Sequence, residues 1–329
     1  MLILSISSVQ SLPLYINDNG EIQIDSPIPE SFDIKWIGKI SSDDDLKQKK
    51  GFIKKVIEFV AGKDFNGLVK PVNLIALDTS KYIVVDQGNQ FPVLIDANSG
   101  DFQNIKDDIK SYPSLVGICK GKDEKVYFTD SKYNQIYYLN NNDDEPKVLN
   151  DSLHLNQPTG IAYSIVNDEI WVSETAKHRI VILDNKGFVK RMIGKRGTEP
   201  GEFNFPTHIW IDKHDKVYIV DAMNFRIQIL SNNGEILSVF GEAGDATGFI
   251  ASPKGIATDS YGHIYVVDAL FHSVQIFDEK GNFLYYFGRQ GSGDGEFWMP
   301  SGIFIDNYDR IYIADAYNSR IQIFQLLKR

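Results

Sequence analysis

The chain has 329 residues, of which 43% are hydrophobic and 12% aromatic, enough apolar material for a continuous core in one large domain. Its 34 basic and 44 acidic residues give a formal net charge of −10, which disfavours nonspecific binding to nucleic acid or to an anionic membrane surface. A single cysteine, Cys119, excludes a disulfide within the chain, and no apolar run in the sequence is long enough to span a membrane.

Residues 1–31 are predicted to form an N-terminal extension, and residues 1–11 within it allow two interpretations. A short apolar run followed by Val9-Gln10-Ser11 is typical of the end of a secretory signal. The run is also short and lacks a basic leader, which is typical of an ordinary N-terminal strand. The sequence therefore leaves two locations open, export to a periplasm or the extracellular space, and the cytoplasm.

Residues from about 43 to 61 are predicted to form a short inserted helix. Asp43, Asp44 and Asp45 can cap its start and Gly62 can end it. Five apolar residues then fall on one face with lysines opposite, namely Phe52, Ile53, Val56, Ile57 and Val60. A basic amphipathic helix can bind a membrane or a partner. In a chain this acidic we expect the helix to pack on its own domain.

From about residue 71 the chain repeats one pattern of short alternating strands, a to d, with an acid at the end of strand b. The acids lie 44, 44, 47, 47 and 47 residues apart, and they are Asp86, Asp130, Glu174, Asp221, Asp268 and Asp315. A unit of this length cannot bury its own apolar faces, so its copies must pack against one another. Six copies predict an all-β, six-bladed β-propeller.

The last unit ends soon after its strand c and lacks a strand d. A segment near the start, Ile34-Lys35-Trp36-Ile37-Gly38, has the pattern of the strand d seen at Leu284-Tyr285-Tyr286-Phe287-Gly288. Since an unpaired apolar edge invites aggregation, we expect residues from about 32 to 39 to complete the last blade. Residues 32–329 would then form one propeller domain.

The repeated words Pro-x-Gly-Ile, Ile-Tyr-Val-x-Asp and Asn-x-Arg-Ile-Gln-x-Phe resemble the NHL repeat, most clearly from about Leu155 to Phe324. The first two units depart from it, since Asn73 replaces the strand-a glycine in one and Leu115 replaces the proline in the other. The resemblance implies a six-bladed propeller. It also implies a family that contains both binding scaffolds and enzymes, so it indicates the fold more strongly than the function.

The repeated charged residues have a structural interpretation. One acid at the same place in every unit is a repeat signature, and we expect each carboxylate to accept backbone N–H groups of the turn that follows it. Arg179, Arg226 and Arg320 also recur at one repeat position. We expect them to connect blades rather than to bind a substrate.

Two enzymatic relatives within the resemblance use ligand sets that this chain lacks. Amidating lyase propellers hold zinc with three histidines that directly follow the strand-a proline. That place carries Val72, Thr159, Thr207, Lys254 and Ser301 here. Lactonase-like propellers hold calcium with Glu, Asn and Asp in the central channel, where this chain offers Asn73 and His208. His178 and His272 share one repeat position but lie two blades apart, too distant to chelate one ion, so we predict no metal and no cofactor.

The sequence favours a noncatalytic binding or scaffold module for a protein or peptide partner. In propellers of this kind the d–a and b–c loops lie on one face, where a polar centre and an aromatic rim suit such a partner. The residues predicted to gather there are Thr159, Thr207, His208, Met223, Lys254, Phe271 and Tyr317. The alternative is a hydrolase or lyase, lactonase-like or amidating-lyase-like, with a site at the mouth of the central channel.

Overall fold

The computed structural model describes residues 14–16, 22–24, 32–42, 45, 67–106, 111–140, 143 and 145–328. The interpretations of residues 1–11 and almost all of the predicted helix over about 43–61 lie outside these ranges. The elements bounded within the described residues are 26 strands and four 3₁₀ helices, Lys122–Glu124, Thr175–Lys177, Ala222–Asn224 and Ala316–Asn318. No helix among them is long and apolar enough to cross a membrane.

Strands β1 (Leu14–Ile16) and β2 (Ile22–Ile24) pair as a separate hairpin, and β3 (Phe32–Ile40) follows. Blade 1 contains β4 (Pro71–Ala76), β5 (Lys81–Asp86), β6 (Phe91–Asp96) and β7 (Asp101–Asn104). Blade 2 contains β8 (Leu115–Lys120), β9 (Val126–Asp130), β10 (Gln135–Leu139) and β11 (Lys147–Val148). Blade 3 contains β12 (Pro158–Ser164), β13 (Glu169–Glu174), β14 (Arg179–Asp184) and β15 (Val189–Ile193).

Blade 4 contains β16 (Pro206–Ile211), β17 (Val217–Asp221), β18 (Arg226–Leu230) and β19 (Ile236–Phe240). Blade 5 contains β20 (Pro253–Thr258), β21 (Ile264–Asp268), β22 (Ser273–Phe277) and β23 (Phe283–Phe287). Blade 6 contains β24 (Ile303–Ile305), β25 (Arg310–Asp315), β26 (Arg320–Lys328) and, beside β26, β3. All pairings within the blades are antiparallel, and the prediction of an all-β, six-bladed propeller is confirmed.

Blade 6 joins two distant parts of the chain. Strand β3 pairs with β26 from Ile40 opposite Ile321 to Phe32 opposite Lys328. The indole Nε1 of Trp36 also donates a hydrogen bond of 3.0 Å to Oε1 of Gln322, which lies 286 positions away in the sequence. The inner strands contact one another in order around the centre, and β24 contacts β4.

The core consists of apolar layers between neighbouring blades. Because each sheet packs against a neighbour on both sides, the central strands are apolar on both faces, and every residue of β13 is buried. Six clusters of buried side chains are found among the described residues, one for each pair of adjacent blades. The layer between blades 6 and 1 contains Ile321 of β26, Leu74 of β4 and Ile40 of β3, so the ring is packed at this junction as well.

Candidate functional site

Close approach between the inner strands explains the glycine that recurs at their third position. A Cβ built at Gly160 of blade 3 would lie 2.4 Å from the carbonyl oxygen of Thr207 and 2.7 Å from Cα of His208, both in blade 4. A Cβ at Gly117 of blade 2 would lie 2.3 Å from the carbonyl oxygen of Thr159. A side chain at Gly117 or Gly160 would therefore meet the backbone of the next inner strand.

Two blades carry a side chain at this position, and the two side chains meet. Asn73 of blade 1 and His208 of blade 4 belong to blades that are three apart in a ring of six, which places them on opposite sides of the centre. The Nδ2 atom of Asn73 lies 3.2 Å from Nε2 of His208. On its other side, Nδ1 of His208 accepts a 2.9 Å hydrogen bond from the backbone N–H of Ile256 in blade 5.

His208 is therefore neutral. Because Nδ1 accepts a hydrogen bond, a proton on that atom would break the contact with Ile256. Burial lowers the pKa of His208 from 6.5 to about 4. Both ring nitrogens have neighbours within the chain, so this pair fills the middle of the ring rather than presenting free ligands there.

Thr159 and Thr207, which the sequence placed at the centre of the site, differ in their surroundings. Thr159 is 7% exposed, and its hydroxyl lies 2.6 Å from that of Thr175 and donates a 2.8 Å hydrogen bond to the carbonyl oxygen of Thr207. It connects blade 3 to blade 4. Thr207 is half-buried, and its own hydroxyl oxygen is buried without a hydrogen-bond partner among the described residues.

Three of the repeat acids accept backbone N–H groups of the following turn, as expected. The carboxylate of Asp268 accepts from Leu270 and Phe271 in that turn, and also from Ala251 and Ser252 in the preceding loop. Asp86 and Asp130 have the same pattern. These carboxylates are fully buried, and backbone N–H groups donate hydrogen bonds to them.

In the other three blades an arginine of strand c, rather than the backbone of the following turn, donates hydrogen bonds to the repeat acid. Asp315 accepts a 2.8 Å hydrogen bond from Nε of Arg320, and the arginine's remaining nitrogens donate to the carbonyl oxygens of Ser292, Gly293 and Glu296. Arg226 pairs with Asp221 in the same way, and Arg179 pairs with Glu174. Arg320 and Arg226 thus fasten strand c to the loop that arrives from the preceding blade, so these arginines do not face a ligand.

His178 and His272 also have equivalent structural roles. Both adopt left-handed backbone conformations, with φ of 53° and 52°. Nδ1 of His178 accepts a 3.0 Å hydrogen bond from the backbone N–H of Phe205, and Nδ1 of His272 accepts one of 3.1 Å from Met299. Desolvation, followed by the charge of Arg196, lowers the pKa of His178. No group of three or more His, Cys, Asp or Glu side chains in the described part of the chain is arranged to hold a metal ion.

The rim of the loop face carries exposed apolar side chains. Met223 and Tyr317 are 53% and 55% exposed, whereas Phe271 is half-buried. Sequence reasoning missed Leu270, which is 59% exposed, and Trp298, which is 49% exposed. Trp298 occupies the repeat place that holds asparagine or alanine in blades 4 and 5, and that substitution was a signal that could have identified it.

Trp298 and Tyr317 form one aromatic surface. Their ring centroids are 5.9 Å apart, and the backbone N–H of Tyr317 donates a 3.2 Å hydrogen bond to the carbonyl oxygen of Trp298. The ammonium group of Lys70 lies 5.7 Å from the centroid of the Tyr317 ring. Nearer the centre, Lys254 is exposed at the second position of β20.

Comparison with known proteins supports the fold. A sequence family described as a six-bladed β-propeller matches residues 149–231 and 251–328. No curated protein sequence matches the chain. Many solved structures do match it.

Three of these structures illustrate the range of proteins with this architecture. An auxiliary nutrient binding protein from Bacteroides thetaiotaomicron is 14% identical, with a TM-score of 0.65 over 94% of this chain and 82% of that one. Virginiamycin B lyase from Staphylococcus aureus is 15% identical, with a TM-score of 0.59 over 90% of this chain and 100% of that one. The PQQ-bound aldose sugar dehydrogenase from Streptomyces coelicolor is 14% identical, with a TM-score of 0.59 over 91% and 99%. At these identities the likeness concerns the fold alone.

Proposed function

We propose that this chain is a noncatalytic binding module that takes a protein or peptide partner on the face formed by its d–a and b–c loops. The observation that carries the proposal is the exposed pair Trp298 and Tyr317, whose backbones are joined by a hydrogen bond. The NHL-like character of the repeats is part of the same proposal.

The rim has the properties of a recognition surface. Aromatic side chains supply contact area while losing little conformational entropy, since they have only two side-chain torsions. Met223 adds a flexible apolar group that adapts to different partners. Leu270 lies on the blade between those of Met223 and Trp298, so exposed apolar groups follow three successive blades.

The centre of the ring supports binding better than bond chemistry. A catalytic site needs a nucleophile or base that can reach a substrate and a partner that orients it. The hydroxyl of Thr159 and Nδ1 of His208 already bond groups of the chain itself, and Nε2 of His208 lies 3.2 Å from Nδ2 of Asn73. Thr207, whose hydroxyl oxygen is buried, and the exposed Lys254 lie on neighbouring blades, and we include both in the proposed binding surface.

The solved relatives are compatible with this proposal. The propeller architecture occurs in an auxiliary nutrient binding protein as well as in a lyase and a dehydrogenase. Because one fold carries many functions, the choice depends on the residues of the site.

Peptide selection tests the proposal. A random peptide library displayed on phage is selected on the purified chain, and the dissociation constants of the selected peptides are measured by fluorescence anisotropy. Trp298→Ala combined with Tyr317→Ala is expected to raise the dissociation constant at least about 30-fold, the effect of losing about 2 kcal/mol at a binding hot spot. Tyr308→Ala is the matched control, since Tyr308 is 66% exposed in an a–b loop on the opposite face.

Three outcomes would contradict the proposal. Peptides that bind the double variant as well as the original chain would place the site elsewhere. A large drop in the melting temperature of the double variant would mean that these rings pack within the chain. Turnover of a lactone, ester or amide that is lost on chelation of a bound ion would favour the enzyme alternative.

A further inference from the structure

The exposed charges around the channel mouth have one sign. We define the mouth by two sets of segments. The first set leads into the inner strands: 69–72, 113–116, 156–159, 204–207, 251–254 and 298–301. The second set is the b–c turns: 87–90, 131–134, 175–178, 222–225, 269–272 and 316–319. These segments contain Lys70, Lys132, Lys177 and Lys254 and no aspartate or glutamate. That composition is unusual in a chain whose acids outnumber its bases by 44 to 34.

The lysines at the mouth are not neutralised locally. Lys132, Lys177 and Lys254 are exposed, and none of them pairs with an acid in the part of the chain that the structure describes. The six repeat acids lie beneath this surface but are fully or almost fully buried, and backbone N–H groups or arginines occupy them. The exposed charged side chains of the segments that define the mouth are therefore all positive, whereas the outer parts of the d–a loops on the same face carry the exposed acids Glu199, Glu242, Asp245 and Asp294.

The opposite face contrasts with the mouth. Its a–b loops contain nine acids against four lysines: Asp78, Asp123, Glu124, Asp168, Asp212, Asp215, Asp259, Asp306 and Asp309, with Lys122, Lys125, Lys213 and Lys216. An acidic ligand would be repelled by several of these loops, whereas the mouth would attract it. Charge thus distinguishes the two ends of the ring and favours one of them for an anionic partner.

The mouth also separates its charged and apolar groups. Lys132 and Lys177 lie in the turns of blades 2 and 3, while Met223, Leu270 and Tyr317 lie in the corresponding turns of blades 4, 5 and 6. Lys254 lies between them, close to the centre. A peptide that crosses the mouth would contact the lysines at one end and the aromatic pair at the other.

We infer that the partner segment is an acidic peptide with an aromatic or aliphatic anchor, its carboxylates facing Lys132, Lys177 and Lys254 and its anchor on the surface of Trp298 and Tyr317. This inference rests on the proposed function and specifies the chemistry of the ligand. Lysine is a compact point charge, which suits separate carboxylates.

The same peptide selection tests the inference through the amino-acid composition of the selected peptides. Selected peptides are expected to be enriched in Asp and Glu over Lys and Arg, and their affinity should fall as salt is raised, because exposed charges are screened. Lys177→Gln and Lys254→Gln should each raise the dissociation constant roughly two- to five-fold. Lys186→Gln and Lys280→Gln are matched controls from exposed c–d turns of the same two blades and should have no effect.

The outcomes separate this inference from the proposed function. Neutral or basic peptides that still require Trp298 and Tyr317 would overturn the acidic ligand and leave the binding face intact. Binding that is insensitive to salt and to both lysine variants would also overturn it. An RNA oligonucleotide that binds in the same assay, competes with the peptides and depends on the same lysines would replace the peptide by a nucleic acid.

Discussion

Asn73 and His208 are 135 positions apart in the sequence, yet their side chains lie 3.2 Å from one another across the centre of the ring. They replace the two glycines that the inner strands of blades 1 and 4 would otherwise carry. Asn73 Oδ1 accepts the backbone N–H of Leu74, and Nδ1 of His208 accepts that of Ile256, so each side chain is held in place by backbone where the two meet.

His208 should make the stability of the ring depend on pH. Its pKa is lowered from 6.5 to about 4 in the folded chain, so the unfolded chain binds a proton that the folded chain does not. Stability is therefore fully present above about pH 6.5 and falls as the pH decreases toward 4, by about 3 kcal/mol in total. Urea unfolding across this range should show that loss.

His208→Gln supplies the control for this pH dependence. Glutamine keeps an acceptor for the N–H of Ile256 but does not titrate. His178, whose pKa is also lowered, and His263, whose pKa is raised by Asp259, titrate in both proteins and cancel in the comparison. If both proteins lost equal stability between pH 6.5 and 4, His208 would not be the group responsible.

The buried pair of Asp315 and Arg320 should be costly to break. Their side chains are 0% and 5% exposed, so Asp315→Asn leaves the arginine charge buried without its partner. We expect a loss of about 3 to 5 kcal/mol in the free energy of unfolding, measured in urea. Asp294→Asn is the control, because its partner Lys39 lies at the surface and the pair should contribute less than about 1 kcal/mol. Equal effects of the two substitutions would contradict this account.

Gly160 should be essential for the spacing of blades 3 and 4. In Gly160→Ala the new methyl group would meet the backbone of blade 4 at 2.4 Å, and backbone cannot yield as a flexible side chain can. We expect a loss of at least about 1 to 3 kcal/mol by chemical denaturation. Gly38→Ala in the outer strand β3 has nothing within 4 Å and should be nearly neutral. A neutral result at Gly160 would mean that the blades can separate freely.

Strand β3 should be needed for a stable ring, because removing it exposes the edge of β26 and part of the layer between blades 6 and 1. Deleting residues 1–40 is expected to lower the melting temperature sharply or to cause aggregation. Deleting residues 1–31 leaves β3 in place and should have little effect, as measured by differential scanning calorimetry. Similar melting of the two truncated proteins would argue against this role of β3.

Most of the fold could be predicted because the same pattern of strands occurs six times in the sequence. The acid at the end of strand b identifies each blade, and the alternation around Trp36 was sufficient to suggest where an outer strand lies. Departures from the repeat were harder to interpret. Asn73 and His208 were both visible as replaced glycines, but their contact depends on the ring bringing blades 1 and 4 face to face.

The candidate site was less predictable, since exposure depends on neighbours that the repeat does not specify. Thr159 shares a repeat place with Lys254, yet its hydroxyl finds the carbonyl oxygen of Thr207 and it is buried, while Lys254 remains exposed. The repeat position that His178 shares with His272 was evident in the sequence, whereas the backbone N–H that its Nδ1 atom accepts from the next loop was not. Sequence shows which residue types recur, but not which of their polar atoms are already occupied.

The hydrogen bond between Trp36 and Gln322 implies that blade 6 is completed late in translation. The strands of blades 1 to 5 can each pair once all four have emerged, but β3 must wait for a partner made 286 residues later. At translation rates of 5 to 20 residues per second that delay is about 15 to 60 seconds. During this interval the nascent chain carries an unpaired apolar strand N-terminal to the growing ring. A holding chaperone would have more time to bind this segment than any other.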